Sequence, residues 1–383
     1  MLTMDPLPIL QFGTSRFLQA HCDLFVSEAM ERGEALGGIT VVQTTSNPAS
    51  SARLRAIARP EGFEVVVRGR VDGRTVDLRQ TCRSVRAALD ARSQWPQVRA
   101  AIRGPVQVIV SNTADAGWAL DASDGAALLA DDAPPPASFP AKLLVLLHDR
   151  WRAAPAAALT LLPCELISRN GDQLRTLVTG LARAWACESD FITWLAGRVV
   201  WANSLVDRIV SEALDPVGAI AEPYALWAIE RQPGLVVPCT HPSIVLTDDL
   251  ARYERLKLFL LNLGHTLLAD DWRRGRLPAG MTVLQAMHDP VLRPALETTW
   301  REEVLPVFDA LGQGDEARAY LVALRDRLLN PYLVHRIADI AQNHAQKVER
   351  RVGGLLALAA QRAPGLAQPR LHAVAAQNGE SGK

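Results

Sequence analysis

The stretch KLFLLNLGHT, Lys257 to Thr266, sets a lysine, an asparagine and a histidine into a leucine-rich run. At about 100° per residue, Leu256, Phe259, Leu260, Leu263 and Leu267 fall on one helical stripe. Lys257, Asn262 and His265 lie off that stripe. Leu258 and Leu261 interleave with them, so this second face is expected to be covered as well. Polar groups on a covered face need partners, and a lysine held away from water gives up its proton more readily. Such an amine beside an amide and an imidazole suits proton transfer to and from an alcohol oxygen. A helix packed on both sides, its polar groups paired with backbone or carboxylates, explains the pattern equally well.

Two further stretches carry candidates for a cofactor. FGTSRFLQAH places Gly13 where a dinucleotide-binding turn has its first glycine, with a helix start behind it to face a pyrophosphate. Ser15 and Leu18 stand where that pattern has its other glycines, so Gly13, Thr14 and Ser15 read equally as a plain strand-to-helix turn. VIVSNTADAGW sets Ser111, Asn112 and Thr113 just past a strand's carboxyl end, the edge where open α/β sheets hold ligands. An Asx-type turn is the plainer reading there. The second apolar run ends in Gln43, Thr44 and Thr45, followed by Ser46 and Asn47, where an acidic ribose ligand is usual. Neutral groups at Thr44 and beyond favour NAD only modestly and leave room for NADP.

These groups need a scaffold to position them. PILQF (Pro8 to Phe12), ITVVQTT (Ile39 to Thr45) and VQVIVSN (Val106 to Asn112) read as buried parallel strands, with ALTLLP and RVVWAN as further ones. The helical run RFLQAHCDLFVSEAMERG, closed by Gly33, completes a βαβ unit. FEVVVRGRVDGRTVDLRQ reads as a hairpin about Asp72 and Gly73, decorating the sheet. LDASDGAALLADDAPPPASFP reads as a loop. From about residue 249 strand signals stop and helices follow one another. The expected fold is α/β, a Rossmann-like N-terminal domain with a mainly parallel sheet over 1–245. An all-helical C-terminal domain over 246–362 and a flexible tail over 363–383 follow. A cleft between two domains is a common ligand site.

KLFLLNLGHT, with NTADAGW, LPCELISRNGDQL, NSLVDRIV, EPYALWAIE and RLLNPYLVHRIADIAQN in that family's order, resembles the mannitol dehydrogenase family of polyol-specific long-chain dehydrogenases. The resemblance runs from about Leu10 to Gly353. PCELISRNG and NSLVDRIV look most like its sugar-acid branch, of the tagaturonate reductase (altronate oxidoreductase) and mannonate oxidoreductase type. Carried over by position, it implies Lys257 as the general base that removes the alcohol proton or returns it. It implies Asn262 and Asn203 as donors to the developing alkoxide, and His265 as the ligand of a neighbouring hydroxyl. The implied activity is an NAD(P)-dependent interconversion of a secondary alcohol and a ketone on an open-chain sugar acid. A neutral polyol of the mannitol or arabinitol type is the alternative substrate; a non-catalytic dinucleotide-binding sensor is the second alternative, favoured by the glycine-poor turn and opposed by the intact Lys257, Asn203, Asn262 and His265 set.

His335 and Arg336 are candidates for the substrate end, since an arginine fork grips a carboxylate through two hydrogen bonds. A surface ion pair suits Arg336 equally. Glu165 could reach the cleft, whereas Cys164 and the His21–Cys22 pair read as structural. Lys347 and the charges of KVERR read as a solvated helix face. The five cysteines are scattered, with no CxxC, and no Cys/His cluster has metal-ligand spacing, so a metal-independent reaction is expected. Lys+Arg and Asp+Glu balance at 41 each, which removes the basic field that nucleic acid or an anionic membrane would need. The N-terminal residues lack signal-peptide features, and the apolar runs fall short of a membrane span. A cytoplasmic enzyme acting on a small sugar acid or polyol, as a monomer or small homo-oligomer, is the expectation.

Overall fold

The computed structural model describes residues 7–45, 48–113, 117–275 and 277–379. Ser46, Asn47 and the middle of NTADAGW fall outside these. Strands β1 (Ile9–Phe12) and β2 (Ile39–Gln43) are buried throughout, as parallel strands covered on both faces must be. After them come β3 (Phe63–Val71), β4 (Arg74–Cys82), β5 (Val85–Asp90), β6 (Val108–Ser111), β7 (Leu159–Pro163) and β8 (Val199–Trp201). Six of these pair in parallel in the order β5-β2-β1-β6-β7-β8. Ranked along the chain this is the 3-2-1-4-5-6 order of a doubly wound dinucleotide fold, which reverses direction between β1 and β6. Successive strand residues feed opposite cores: Ile9, Val41 and Val110 enter one, Leu10, Phe12, Val42 and Ile109 the other.

Strand β5 has no counterpart among the sequence expectations. It is an edge strand, and only Val85, Ala87 and Leu89 of its alternating residues are buried. The hairpin does turn at Asp72 and Gly73, both with positive φ (51° and 75°). It belongs, however, to a separate four-stranded sheet with Val210–Ala213 and Ala219–Ala221, and does not decorate the parallel one.

The chain divides into two compact units. The first comprises Met1–Val67, Leu78–Ala221 and Ala225–Leu250; the second comprises Arg68–Asp77, Glu222–Tyr224 and Ala251–Lys383. The division thus falls after Leu250, not at 245, and the second unit includes two short excursions from earlier in the chain. Within it Arg327 pairs with Glu222 at 2.8 Å, both side chains buried, and Asn330 Nδ2 donates to the Arg68 carbonyl at 3.3 Å. Contacts of that kind leave no periodicity to read.

The rest of the second unit is helical, around Leu260, Leu263, Leu267, Trp300, Phe308, Leu324 and Leu355. Its described residues 363–379 are not the loose tail expected over 363–383. Pro369–Gly379 is a helix whose Leu371 and Val374 are buried. The Glu303 carboxylate accepts the amides of Arg370 and Leu371 at 3.1 and 3.0 Å, serving the orphan donors of this helix start from another element. Two large apolar side chains are too few to announce such a helix; its partners come from elsewhere in the fold.

Candidate functional site

In the first unit the candidates gather where the sheet reverses, at the carboxyl ends of β1 and β6. Gly13 follows β1 with φ 118°, and a β-carbon there would lie 2.7 Å from the Asn112 carbonyl oxygen, so the turn closes only on glycine. The Asn112 amide donates to the Phe12 carbonyl at 3.0 Å. Thr14 is buried, and its carbonyl accepts from Gln19 Nε2 at 2.9 Å. Ser15 caps the following helix, accepting the Leu18 amide at 3.3 Å, and its hydroxyl donates to Asn112 Oδ1 at 3.4 Å. A capped helix start, a glycine-only turn and the reversal point together fit a dinucleotide. Thr44 and Thr45 follow β2, half-buried and exposed, with Gln43 Nε2 donating to the Thr45 carbonyl at 3.0 Å.

Beside this turn sits a carboxylate. Glu165, just past β7 and 3% exposed, accepts from the Ser111 hydroxyl, the Thr113 amide and the Thr113 hydroxyl, each at 3.0 Å. Asn112 Nδ2 donates to the Cys164 carbonyl at 3.0 Å. Glu165 is therefore committed to shaping the strand end. Asn170 ties the neighbouring loops together: its amide donates to the carbonyls of Pro163, Glu165 and Ser204 at 2.9, 3.1 and 2.9 Å. Asn203, 1% exposed, donates to Asp172 Oδ2 at 3.1 Å and to Glu230 Oε2 at 2.7 Å, and its Oδ1 accepts the Asp172 amide at 3.1 Å. Asp172 and Glu230 escaped the sequence reading. Asp172 lies within LPCELISRNGDQL and Glu230 ends EPYALWAIE, but nothing local marks either as a partner of Asn203.

In the second unit Lys257–Asn262 is a π-helical turn inside a continuous helix, between Leu250–Leu256 and Leu263–Arg273. The Leu263 amide reaches the Leu258 carbonyl, five residues back. In an α-helix, residues five apart stand about 140° apart. The wider turn brings Asn262 back toward the face of Lys257, a feature that recurs at functional sites. The stripe drawn at α-helical spacing therefore breaks here. Phe259, Leu260 and Leu261 are buried, Lys257, Leu258 and Asn262 are half-buried, and His265 is 7% exposed, so the second face is covered only in part. Gly264 admits Trp300, since a β-carbon would lie 2.7 Å from its ring.

The His265 ring meets His335 edge-on, centroids 4.9 Å apart and planes at 79°. Burial holds the His335 imidazole below its usual range, Asp339 opposing the shift and Lys347 adding to it. Arg336 is exposed at the N-cap of Ile337–Ile340, its backbone bridged to Thr282. KVERR is only partly a solvated face. Glu349 and Arg350 are exposed, but Lys347 folds back to donate to the Ile340 carbonyl at 2.8 Å, and Arg351 donates to the Asn262 carbonyl at 3.1 Å. Long cationic side chains cover apolar stems this way while their heads find carbonyls.

His21 and Cys22 are core residues. His21 hydrogen-bonds the Leu226 carbonyl at 3.1 Å and packs against Phe17, Phe25 and Trp227. Burial pushes the Cys164 thiol well up, Glu165 adding to the effect, so it is no ready nucleophile. Among the described residues no group of three or more His, Cys, Asp or Glu is placed to hold a metal ion, and no helix is long and apolar enough to cross a membrane.

Residues 8–236 match the family model of the mannitol dehydrogenase Rossmann domain, and residues 249–378 that of the mannitol dehydrogenase C-terminal domain. The chain belongs to the mannitol dehydrogenase family. Similar curated members include the altronate oxidoreductase of Klebsiella pneumoniae subsp. pneumoniae, 32% identical over 96% of this chain and 78% of that protein. The altronate oxidoreductase of Halalkalibacterium halodurans is 29% identical over 91% of this chain and 70% of that one. Substrate-free D-sorbitol dehydrogenase shares the fold with a TM-score of 0.77 at 17% identity, over 97% of this chain and 80% of that one. Pseudomonas fluorescens mannitol 2-dehydrogenase, solved as a ternary complex with NAD and D-mannitol, follows at 0.72 and 19%, over 97% and 79%. Relatives in the mannitol dehydrogenase family are named oxidoreductases and dehydrogenases, and this chain is an enzyme of that class. The Rossmann-like sheet domain and the helical region expected from its motifs are those of the family.

Proposed function

We propose that the protein interconverts a secondary alcohol and a ketone on an open-chain sugar acid of the altronate or mannonate type, using NAD(H) in preference to NADP(H). The observation that supports this best is the π turn over Lys257–Asn262, which narrows the angle between the lysine and the asparagine of the family motif on a partly buried helix, with His265 one turn on. The similarity to altronate oxidoreductases supports the acid over a neutral polyol.

Gly13, Thr14 and Ser15 would hold the pyrophosphate, Thr44 the adenosine ribose, and Ser111, Asn112 and Thr113 the cofactor's remaining length. Bound there, NAD(H) supplies or takes up the hydride. Lys257 Nζ accepts the hydroxyl proton in oxidation and returns it to the alkoxide oxygen in reduction. Asn262 donates a hydrogen bond to that oxygen, the role that the family motif also gives to Asn203 of the first unit. His265, its ring set by His335, orients a neighbouring hydroxyl. Arg336 is the second unit's candidate for meeting the substrate.

The test follows the near-ultraviolet absorbance of reduced nicotinamide with aldonates and the matching polyols, each with NAD and with NADP. Highest kcat/KM for an aldonate with NAD is expected. Turnover of neutral polyols alone would move the assignment to a polyol dehydrogenase, and no turnover with any of them would sink it.

A further inference from the structure

Resting on that reading, we propose that Arg169 in the first unit grips the substrate's carboxylate and so selects sugar acids over polyols. It borders a cavity of about 760 Å³ on that unit, lined by Trp118, Ile167, Arg169, Asp172, Gln173 and Thr176 among others. That volume is in the range of small-molecule sites. Its chemistry suits a sugar chain: Trp118 and Ile167 offer an apolar wall to C–H groups, and Gln173 and Thr176 offer polar groups to hydroxyls.

Arg169 lies between β7 and the helix Asn170–Ala184 with φ 51° and ψ 47°, a left-handed backbone that a non-glycine residue adopts only where its surroundings hold it. They do so here. Its carbonyl accepts the Gln173 amide at 3.0 Å, and Asn170 next to it is bonded to three carbonyls. The side chain emerges 67% exposed, ion-paired with Asp172. A guanidinium has five donors in a planar fork, and one carboxylate engages at most two of them well, leaving an edge for a second.

Asp172 supplies the link to the reaction. One of its oxygens, Oδ2, both meets the Arg169 guanidinium and accepts from Asn203 Nδ2 at 3.1 Å. The cation and the amide proposed for the alkoxide are therefore one carboxylate apart. In an open-chain sugar acid the carboxylate and the reacting carbon are separated by only a few bonds, so one molecule can address both. A neutral polyol gives the open edge of Arg169 no ionic partner.

The experiment compares D-altronate with its neutral counterpart D-altritol for wild type, Arg169→Gln, Arg169→Lys and Arg336→Gln. Arg169→Gln should lose roughly ten- to hundred-fold in kcat/KM for the acid, mostly through KM, the range that charge-assisted hydrogen bonds supply, with altritol within about two-fold of wild type. Arg169→Lys should recover part of the loss. An unchanged acid-to-polyol ratio in Arg169→Gln, or a selective loss in Arg336→Gln instead, overturns the proposal. A second measurement needs no turnover and keeps the two readings apart. D-gluconate, titrated against D-glucitol, should change the Trp118 emission saturably, as assigned with Trp118→Phe, and Arg169→Gln should weaken that response. Should no sugar be turned over while this signal holds, the reaction is misassigned and the carboxylate site stands. Absence of a Trp118-dependent response to gluconate sinks the site.

Discussion

Arg351 donates to the Asn262 carbonyl at 3.1 Å and to the Thr266 hydroxyl at 2.9 Å, and that hydroxyl donates to the same carbonyl at 2.9 Å. Two side chains thus converge on the carbonyl that ends the π turn. Burial lowers the Arg351 guanidinium to about 10, with Arg350 pushing the same way, so it remains charged near neutrality. Arg351→Leu keeps an apolar stem but removes both charge-assisted hydrogen bonds, leaving the hydroxyl and carbonyl bonded only to each other, a cost of about 1–3 kcal/mol. A lower Tm and a several-fold lower kcat are expected, with cofactor affinity unchanged. Unaltered Tm and kcat would show that the turn needs no brace.

Lys257→Ala should lower turnover by about 10² to 10⁴, the usual yield of general acid–base catalysis. NADH binding, followed by nicotinamide fluorescence, should stay at the wild-type level, because the groups proposed to hold the cofactor lie in the other unit. Retention of more than about half the turnover would remove Lys257 from the proton-transfer role.

Two glycine substitutions should separate the units. Gly13→Ala forces a β-carbon to 2.7 Å from the Asn112 carbonyl at φ 118°. It should raise the KM for NAD and cost of order 1–3 kcal/mol in stability. Gly264→Ala meets the Trp300 ring at 2.7 Å. It should destabilise the second unit while cofactor affinity, read by NADH titration, is retained. The same rise in cofactor KM in both variants would show that Gly13 has no special place at the cofactor.

Stability should fall with rising pH because of Asp23. Burial pushes its carboxyl up to about 8, Gln11 pulling the other way. Below about 4 the group is protonated in folded and unfolded chains alike. Above that the unfolded chain ionises first, binds fewer protons than the folded one, and is favoured progressively until pH reaches about 8. Asp23→Asn should match wild type in Tm at the acid end and exceed it at the alkaline end. A constant offset across that window would mean that Asp23 does not titrate as its burial requires.

The sequence by itself determined the elements whose signal is local. A parallel strand covered on both faces has to be a continuous apolar run, so Ile9–Phe12, Ile39–Gln43, Val108–Ser111 and Leu159–Pro163 are legible without any partner. The Lys257, Asn262 and His265 pattern, with leucines interleaved, is equally local. Only the tertiary structure decided the rest. The π turn turns on which carbonyl the Leu263 amide meets, a choice that hydrophobic spacing does not encode. Glu165 finds Thr113 and Ser111 at 52 and 54 residues' separation, and Glu303 receives the start of the last helix from 67 residues away. Edge strand β5 and that last helix carry only two large apolar side chains each, Val85 with Leu89 and Leu371 with Val374, too few to declare themselves. Their order, and the polar partners of Asn203, come from groups that meet only once the chain has folded, because a hydrogen bond constrains the pair that forms it and leaves no period in either stretch of sequence.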